Sequence, residues 1–557
     1  MHRQGGTFRH LRFGRALALA FSLASASVFF GAAPLFAQDL PFGIGEDASL
    51  VPKGSARFSL HADFSFADQL RRADGSRVPL GSLLSSDSLG ATALPVLGAA
   101  ERALQTATGQ PSLRLFIGRT EASAAVSVTR IPIAVEYGVT NWLMLSVSAP
   151  LVRRHVDIVI NPNARGANGN VGLNPALDPS SALGSAQIDA ARNFNTQFLT
   201  AEAQFSAALT SCISTPSGPG CGRVLADSAL LRMSQSVRQA IVGVYGGVTE
   251  TAPFVPLGSS AAQVAITAAV QALQARYQAA RDAGATITVP TAGAPVGPQY
   301  PLTSVQLSTY VTNAGYGLGA ADLGRFSHTN IGDVDVSAKI MLVDGFGGAT
   351  SGVRLRSAVT GTFRIGAGPS RNASDFLDPG AGDGQNDIEV RLSNDIAIGR
   401  RFATTVIAGQ TWQRPDRQVI RSGSALFLGP STRMTVERDL GDITAFDVIP
   451  RVAVTKFIAL AATASFRHKG ADRYTGGSPS GAWGLIGLPL GAYSETRAGL
   501  GVVYSTRTSG RGIGGAPVEL IFQHARTVHN SGSAVALMNV DQLGGRIFFN
   551  YGRPRRR

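Results

Sequence analysis

"IPIAVEYGVTNWLMLSVSAPL", residues 131–151, is apolar enough and long enough to resemble a membrane helix. Yet Glu136 sits in its first half, Gly138-Val139-Thr140-Asn141 interrupts it, and Pro132 and Pro150 stand near its ends. A spanning helix needs about 20 predominantly apolar residues without such breaks. Taken as two strands, the stretch makes sense. Ile131, Ile133, Val135 and Tyr137 fall on one face and Ala134 and Glu136 on the other. "GVTN" turns the chain, and "WLMLSVSAPL" returns beside the first strand. Tyr137 and Trp142 then flank the turn, at the headgroup level that amphipathic rings favour.

The same period of two recurs along the chain. Phe58, Leu60, Ala62, Phe64 and Phe66 alternate with Ser59, His61, Asp63 and Ser65. Val334, Val336, Ala338, Ile340 and Leu342 alternate with Asp335, Ser337 and Lys339. Such segments number about twelve, each about ten residues long, as a two-faced barrel strand requires. They fall near 56–66, 122–137, 141–152, 332–343, 352–366, 387–399, 401–413, 443–455, 456–467, 494–507, 516–526 and 541–552. Full charges of both signs stand in mid-strand on the polar faces. Every second connection is short: 138–140, 344–352, 399–400, 455–456 and 508–515. Short periplasmic turns, long outer loops and an even strand count are expected of a transmembrane antiparallel β-barrel. The fold class is therefore all-β, with barrel strands in 56–152 and 331–552 and a mainly α-helical insert, 153–330, between strands three and four. Trp412, near the outer end of its strand, fits the opposite aromatic girdle.

The leader agrees with this compartment. Arg3, Arg9, Arg12 and Arg15 precede an apolar run over 16–33, Pro34 ends it, and Ala37 offers a small residue for cleavage. This is the layout of a secretory signal peptide over 1–37, followed by a periplasmic segment, 38–55. The formal net charge is +14. Its cations are almost all scattered arginines, and an exported barrel meets no nucleic acid, so a lipid headgroup surface or an aqueous lumen accounts for them better. Outer-membrane lipids and the barrel assembly machinery are the expected partners. Cys212 and Cys221, close together in an oxidising compartment, are expected to form a disulfide. No sequence motif points to a cofactor or a metal.

Three stretches carry a family resemblance: "IAVEYGVTNWLMLSVSAPLV", "NIGDVDVSAKIMLVDG" and "GDGQNDIEVRLSNDIAIGRRF". They resemble the barrel family named for the meta pathway of phenol degradation. The resemblance implies an outer-membrane barrel of a kind proposed to transport hydrophobic compounds. It covers about half of the chain, and its motifs are turns and strand patterns. The insert departs from that family, as does the tail "YGRPRRR", in which four arginines and Pro554, the basic tail 553–557, follow Phe549 and Tyr551.

Within the insert the period changes. Ile188, Ala191, Phe194, Phe198, Phe205 and Leu209 recur at helical spacing after Ser180 and Ser181. Leu230, Met233, Val237, Ile241 and Val244 form a second stripe. Ala262, Ile266, Val270, Leu273 and Tyr277 form a third, with Ser259 or Ser260 as N-cap. Three stripes predict a small bundle that caps or plugs the mouth.

The chemistry-bearing candidates are few. "DFLDPGAGDGQND", 375–387, has acids that could hold calcium, but it lacks the ligand order of an EF-hand and reads as a solvated outer turn. "GRGIGG", 510–515, joins two strands and is a turn rather than a phosphate loop. Ser494 and His524 share the lipid-facing outer rim, the only arrangement that suggests a lipid hydrolase. The lumen is richer: Asp333, Asp335, Lys339, Arg354, Arg356, Arg364, Glu389, Arg391, Arg451, Arg497 and Arg546 face inward, with Asp395, Asp447 and Glu519. Such a lining either seals a barrel with salt bridges or filters solutes through it. The expected function is a channel or transporter for passive uptake of small solutes, hydrophobic ones among them. The alternative is a structural or surface-binding barrel whose insert engages a partner, and an enzyme comes third.

Overall fold

The computed structural model describes residues 46–72, 74–163, 169–246, 252–347, 352–399, 401–480, 491–507, 516–533 and 535–549. The expected leader, the 510–515 turn, Tyr551 and the basic tail lie outside the described residues.

The barrel strands are β1 (Ala56–Ala67), β2 (Thr120–Gly138), β3 (Leu143–Pro162), β4 (Val334–Asp344), β5 (Val353–Ile365), β6 (Asp387–Ile398), β7 (Phe402–Gln413), β8 (Ile443–Ala453), β9 (Ile458–Lys469), β10 (Tyr493–Ser505), β11 (Val518–Gly532) and β12 (Asn539–Phe549). Among the described residues these 12 strands pair antiparallel in chain order. The ring then closes, β12 on β1, with Ala56 opposite Phe549. Closure leaves no free edge, so the strand amides and carbonyls are satisfied within the wall. The opening stretch is the β2–β3 hairpin, paired from Thr120 opposite Pro162 to Gly138 opposite Met144.

The alternation places side chains as the sequence predicts. Val135, Tyr137, Leu145, Val147, Phe363, Ile388, Phe466 and Leu520 are exposed on the outside. Arg57, Ser59, Arg354, Asp395, Glu519 and Arg546 are buried on the inside. The barrel is thus apolar without and charged within, the inverse of a soluble protein. An apolar exterior of this extent would associate in water and is matched by the hydrocarbon of a bilayer.

Two features differ from expectation. β3 does not end at Val152 but runs on to Pro162, and a short strand, Arg325–Ile331, pairs with its outer half. Arg153, Arg154, His155 and Asp157 put charge on both faces and so mask a buried row of Val152, Val156 and Ile158. The second difference is a helix in the first outer connection. The helices are α1 (Pro95–Thr108), α2 (Ala182–Ser214), α3 (Cys221–Ala226), α4 (Leu230–Tyr245), α5 (Ala261–Asp282) and α6 (Ser304–Thr312). The insert supplies α2 to α6, and α1 comes from the loop after β1.

Ser181 caps α2 by accepting from the Gly184 amide, and Ser260 caps α5 by accepting from the Gln263 amide. The Cys212–Cys221 disulfide ties the last turn of α2 to the first residue of α3. Leu97 and Leu104 of α1 join Phe194, Phe198, Ile241, Leu273 and Tyr277 in one buried cluster, which continues down to Val156 and Ile158. The main apolar core of the molecule therefore lies above the barrel, in a cap built from two loops.

Candidate functional site

The lumen is built by the inward rows of the strands and by a segment that the sequence leaves outside it. Residues 46–55, expected to be periplasmic, climb from the inner rim into the barrel. Gly54 donates to the Gly138 carbonyl at 2.8 Å, and the Val51 amide points at Met144 Sδ at 3.4 Å. A Cβ on Gly138 would run into the carbonyl oxygens of Val51 and Pro52. Glycine there is what lets this strap cross the first inner turn. Asp47 and Ala48 are buried, and the Ala48 amide donates to Asp395 Oδ2 at 3.1 Å.

Glu46 lies at mid-barrel. Arg391 Nη1 reaches its carboxylate at 3.0 Å, Lys339 Nζ at 3.4 Å, and Thr360 Oγ1 donates to it at 2.7 Å. Lys339 Nζ also donates to the Asp47 backbone carbonyl. Burial pushes the Glu46 carboxyl up, but Lys339 and Arg391 together outweigh it and hold the group at about 2. Asp47 is likewise held low: burial raises it, and Lys339, Arg57 and Arg546 more than reverse that. The strap is therefore an anionic finger in a cationic socket.

The sequence-predicted lumen residues all fall on this inner surface, at three levels. Nearest the periplasm, Arg354 donates to the Gly399 carbonyl at 3.2 Å and Arg356 meets Asp344 at 3.1 Å, both over the Phe346 ring. Arg451 meets Asp395 at 3.5 Å, and Arg546 approaches Glu519 at 3.6 Å. At mid-height, Glu389 binds Arg391 at 2.6 Å beside the strap. Towards the outside, Arg364 binds Asp335 at 2.9 Å, and Arg497 binds Glu495 at 2.9 Å on the opposite wall. Asp333 accepts from the Gly368 and Asp383 amides of the third outer loop.

Reading the strands alone misses Glu46 and Asp47, the Arg57–Glu136 ion pair and Arg507. The one sequence signal for the strap is the "GEDAS" acid pair, ten residues before β1, in a chain with a large excess of arginine. Between strap and wall a cavity of about 280 Å³ remains, lined by His61, Ser146, Ser148, Ser337, Thr362 and Gln542 among others. On the outer rim, Ser494 does not meet His524. It bonds His468 at 2.9 Å, and His524 bonds Asp541 at 2.7 Å.

A closed barrel with an apolar exterior, a charged interior and long loops gathered at one end defines an integral β-barrel of the outer membrane. No protein-family model matches the sequence, and no curated protein matches it. Solved structures with a similar course include the COG4313 outer membrane channel from Pseudomonas putida F1, at 9% identity. That match covers 91% of this chain and 99% of that one, with a TM-score of 0.37. A Pseudomonas aeruginosa FadL homologue matches at 8% identity, over 89% of this chain and 90% of its own, with a TM-score of 0.26. The P. putida toluene transporter TodX matches at 10% identity, over 90% and 91%, with a TM-score of 0.25. At these values neither solute nor mechanism transfers, and the fold rests on the strand pairing itself.

Proposed function

We infer that this protein is a passive channel for small solutes, and that the arrangement described here is its closed state. The observation that carries this reading is the strap. Glu46 and Asp47 occupy the middle of a polar lumen and are held there by ion pairs and hydrogen bonds rather than by an apolar core. A permanently sealed barrel gains little from such a device, because buried ion pairs roughly break even against apolar packing. An ionic latch, by contrast, can be displaced by water and salt. The polar cavity suits small hydrophilic solutes better than hydrocarbons. The resemblance of the hairpins to the meta-pathway barrels supports transport, and its hydrophobic cargo would need a route other than this lining.

Planar-bilayer conductance tests the reading. Wild-type protein is expected to open rarely, and the double substitution Glu46→Ala, Asp47→Ala to raise open probability severalfold. Equal, negligible conductance of both proteins would leave a structural barrel as the answer. That second reading draws support from a groove of about 460 Å³ between α1, α4 and α5, where Met233 and Leu273 lie beside Arg232 and Arg276.

A further inference from the structure

The third outer loop, 366–386, ends in the acidic stretch that the sequence reads as a plain turn. The structure gives it an unusual environment. Asp333 takes the Gly368 amide on one oxygen, at 2.9 Å, and the Asp383 amide on the other, at 3.1 Å. A Cβ on Gly382 would collide with both Asp333 oxygens, so the loop closes onto this carboxylate only with glycine there. Asp383 in turn accepts from the Gln385 amide at 2.9 Å and from Gln413 Nε2 at 3.1 Å. Asp387 and Gln413 are direct partners across the β6–β7 ladder, both facing inward.

Five carboxylates gather at this level: Asp333, Asp335, Asp383, Asp387 and Asp416. Arg364 serves Asp335 at 2.9 Å and reaches Asp387 only at 3.7 Å. Arg438 serves Asp416 at 2.6 Å and turns to Asp383 only through its backbone carbonyl. Negative charge is left over.

The hydrogen-bond inventory points the same way. Asp387 is 1% exposed, yet neither of its oxygens has a hydrogen bond of ordinary geometry; the Arg414 amide faces it, and the Arg364 guanidinium stands at 3.7 Å. Gln385 and Gln413, at 1% and 7% exposure, each leave Oε1 without a donor. Neither amide can be turned to relieve this. Gln385 Nε2 donates to Asp416 at 2.9 Å and Gln413 Nε2 to Asp383, so the carboxylate acceptors fix which end is nitrogen. Around the start of β6 the atoms without a donor, on Gln385, Asp387 and the facing Gln413, are all oxygens. One water donates only two hydrogen bonds.

We propose that the oxygens of Asp387, Gln385 and Gln413, with Asp383, form a calcium site at the outer mouth of the barrel. Hard oxygen donors that combine carboxylate with side-chain amide carbonyl, in an irregular set, are what calcium takes and magnesium resists. Among the described residues no three acidic, imidazole or thiol groups close around a point by themselves. The amide oxygens are therefore an essential part of the set. Such an ion would pin the third outer loop to β6 and β7 over the lumen entrance. The site stands independently of whether the lumen conducts.

The test uses full-length protein refolded in detergent, free of lipopolysaccharide, and calcium chloride as the probe. Calorimetric titration is expected to show one ion per chain, with Kd between about 1 µM and about 1 mM, the span of sensor and extracellular sites. Calcium should raise Tm over the chelated protein, and magnesium should do so much less. Asp387→Asn should weaken binding about tenfold or more while raising Tm of the chelated protein, because it removes a buried charge that Arg364 meets only at 3.7 Å. Should that variant not assemble, Gln413→Leu removes one donor without changing charge and is expected to weaken binding severalfold. No heat and no Tm shift with calcium would overturn the proposal. So would an equal shift with magnesium, or undiminished affinity in the assembled variant.

Discussion

Glu46 is the residue on which the closed lumen turns. Its carboxyl is held at about 2 against an ordinary value of 4.5, so the latch is at full strength above the ordinary value and is lost as pH falls through the lower one. Conductance is therefore expected to stay flat between neutral pH and about 5, and to rise as pH drops from 4.5 to about 2. Glu46→Gln should be open already at neutral pH and show no acid-induced rise. A wild-type channel that opens between pH 7 and 6 would place the latch on another group. Gly138 belongs to the same scale: Gly138→Ala should displace the strap without harming the hairpin, and read out as raised conductance with normal heat-modifiability.

At the level of the element, the faces of β5 make opposite demands. Val359 looks outward, between Ile340 and Leu392 of the neighbouring strands. Val359→Arg near the bilayer midplane should cost about 2–4 kcal/mol and impair assembly in a folding titration. Ser146 of β3 looks into the cavity and pairs in register with Glu136. Ser146→Arg should assemble and lower conductance; equal damage at both sites would mean that the faces are misassigned. The cap makes a different demand. Its core joins α1 to helices that arrive more than 70 residues later, so it is not a property of the insert alone. Removing 165–320 and bridging with a short linker should leave a heat-modifiable barrel, since β3 and β4 are already paired. It should also expose Leu97 and Leu104 and bind a hydrophobic dye, a signal that trimming α1 abolishes.

For the whole molecule, the parity of the connections fixes its orientation. The short connections 139–142 and 454–457 lie at one end of the barrel, and the strap enters there. Protease added to intact cells should cut within the long connections, such as 163–324 or 414–442, and spare 345–352. The reverse pattern would invert the topology. The third loop, the 416–439 hairpin and the cap are held together by Arg421, whose guanidinium donates to the carbonyls of Ala373, Leu318 and Leu428. Arg421→Ala should accordingly increase cutting across all three at once.

Strand number, faces and loop parity were legible in the sequence, because a bilayer outside and polar groups inside force alternation on every strand. The three stripes of the insert and the Cys212–Cys221 pair were legible for the same kind of local reason. α1 could also have been found from Leu94, Leu97 and Leu104, with Pro95 at its first turn and Gly109 ending it in the left-handed region. The outer half of β3 could not, because its buried face is recognisable only once the cap covers it. Nor could the strap. Glu46 and Asp47 have no period, Ser49 is a purely local partner of Asp47, and Lys339 and Arg391 reach the pair, as Asp395 reaches Ala48, only when the barrel closes. Local chemistry sets the wall of this protein. What stands inside the wall depends on contacts that exist only after the ring has formed.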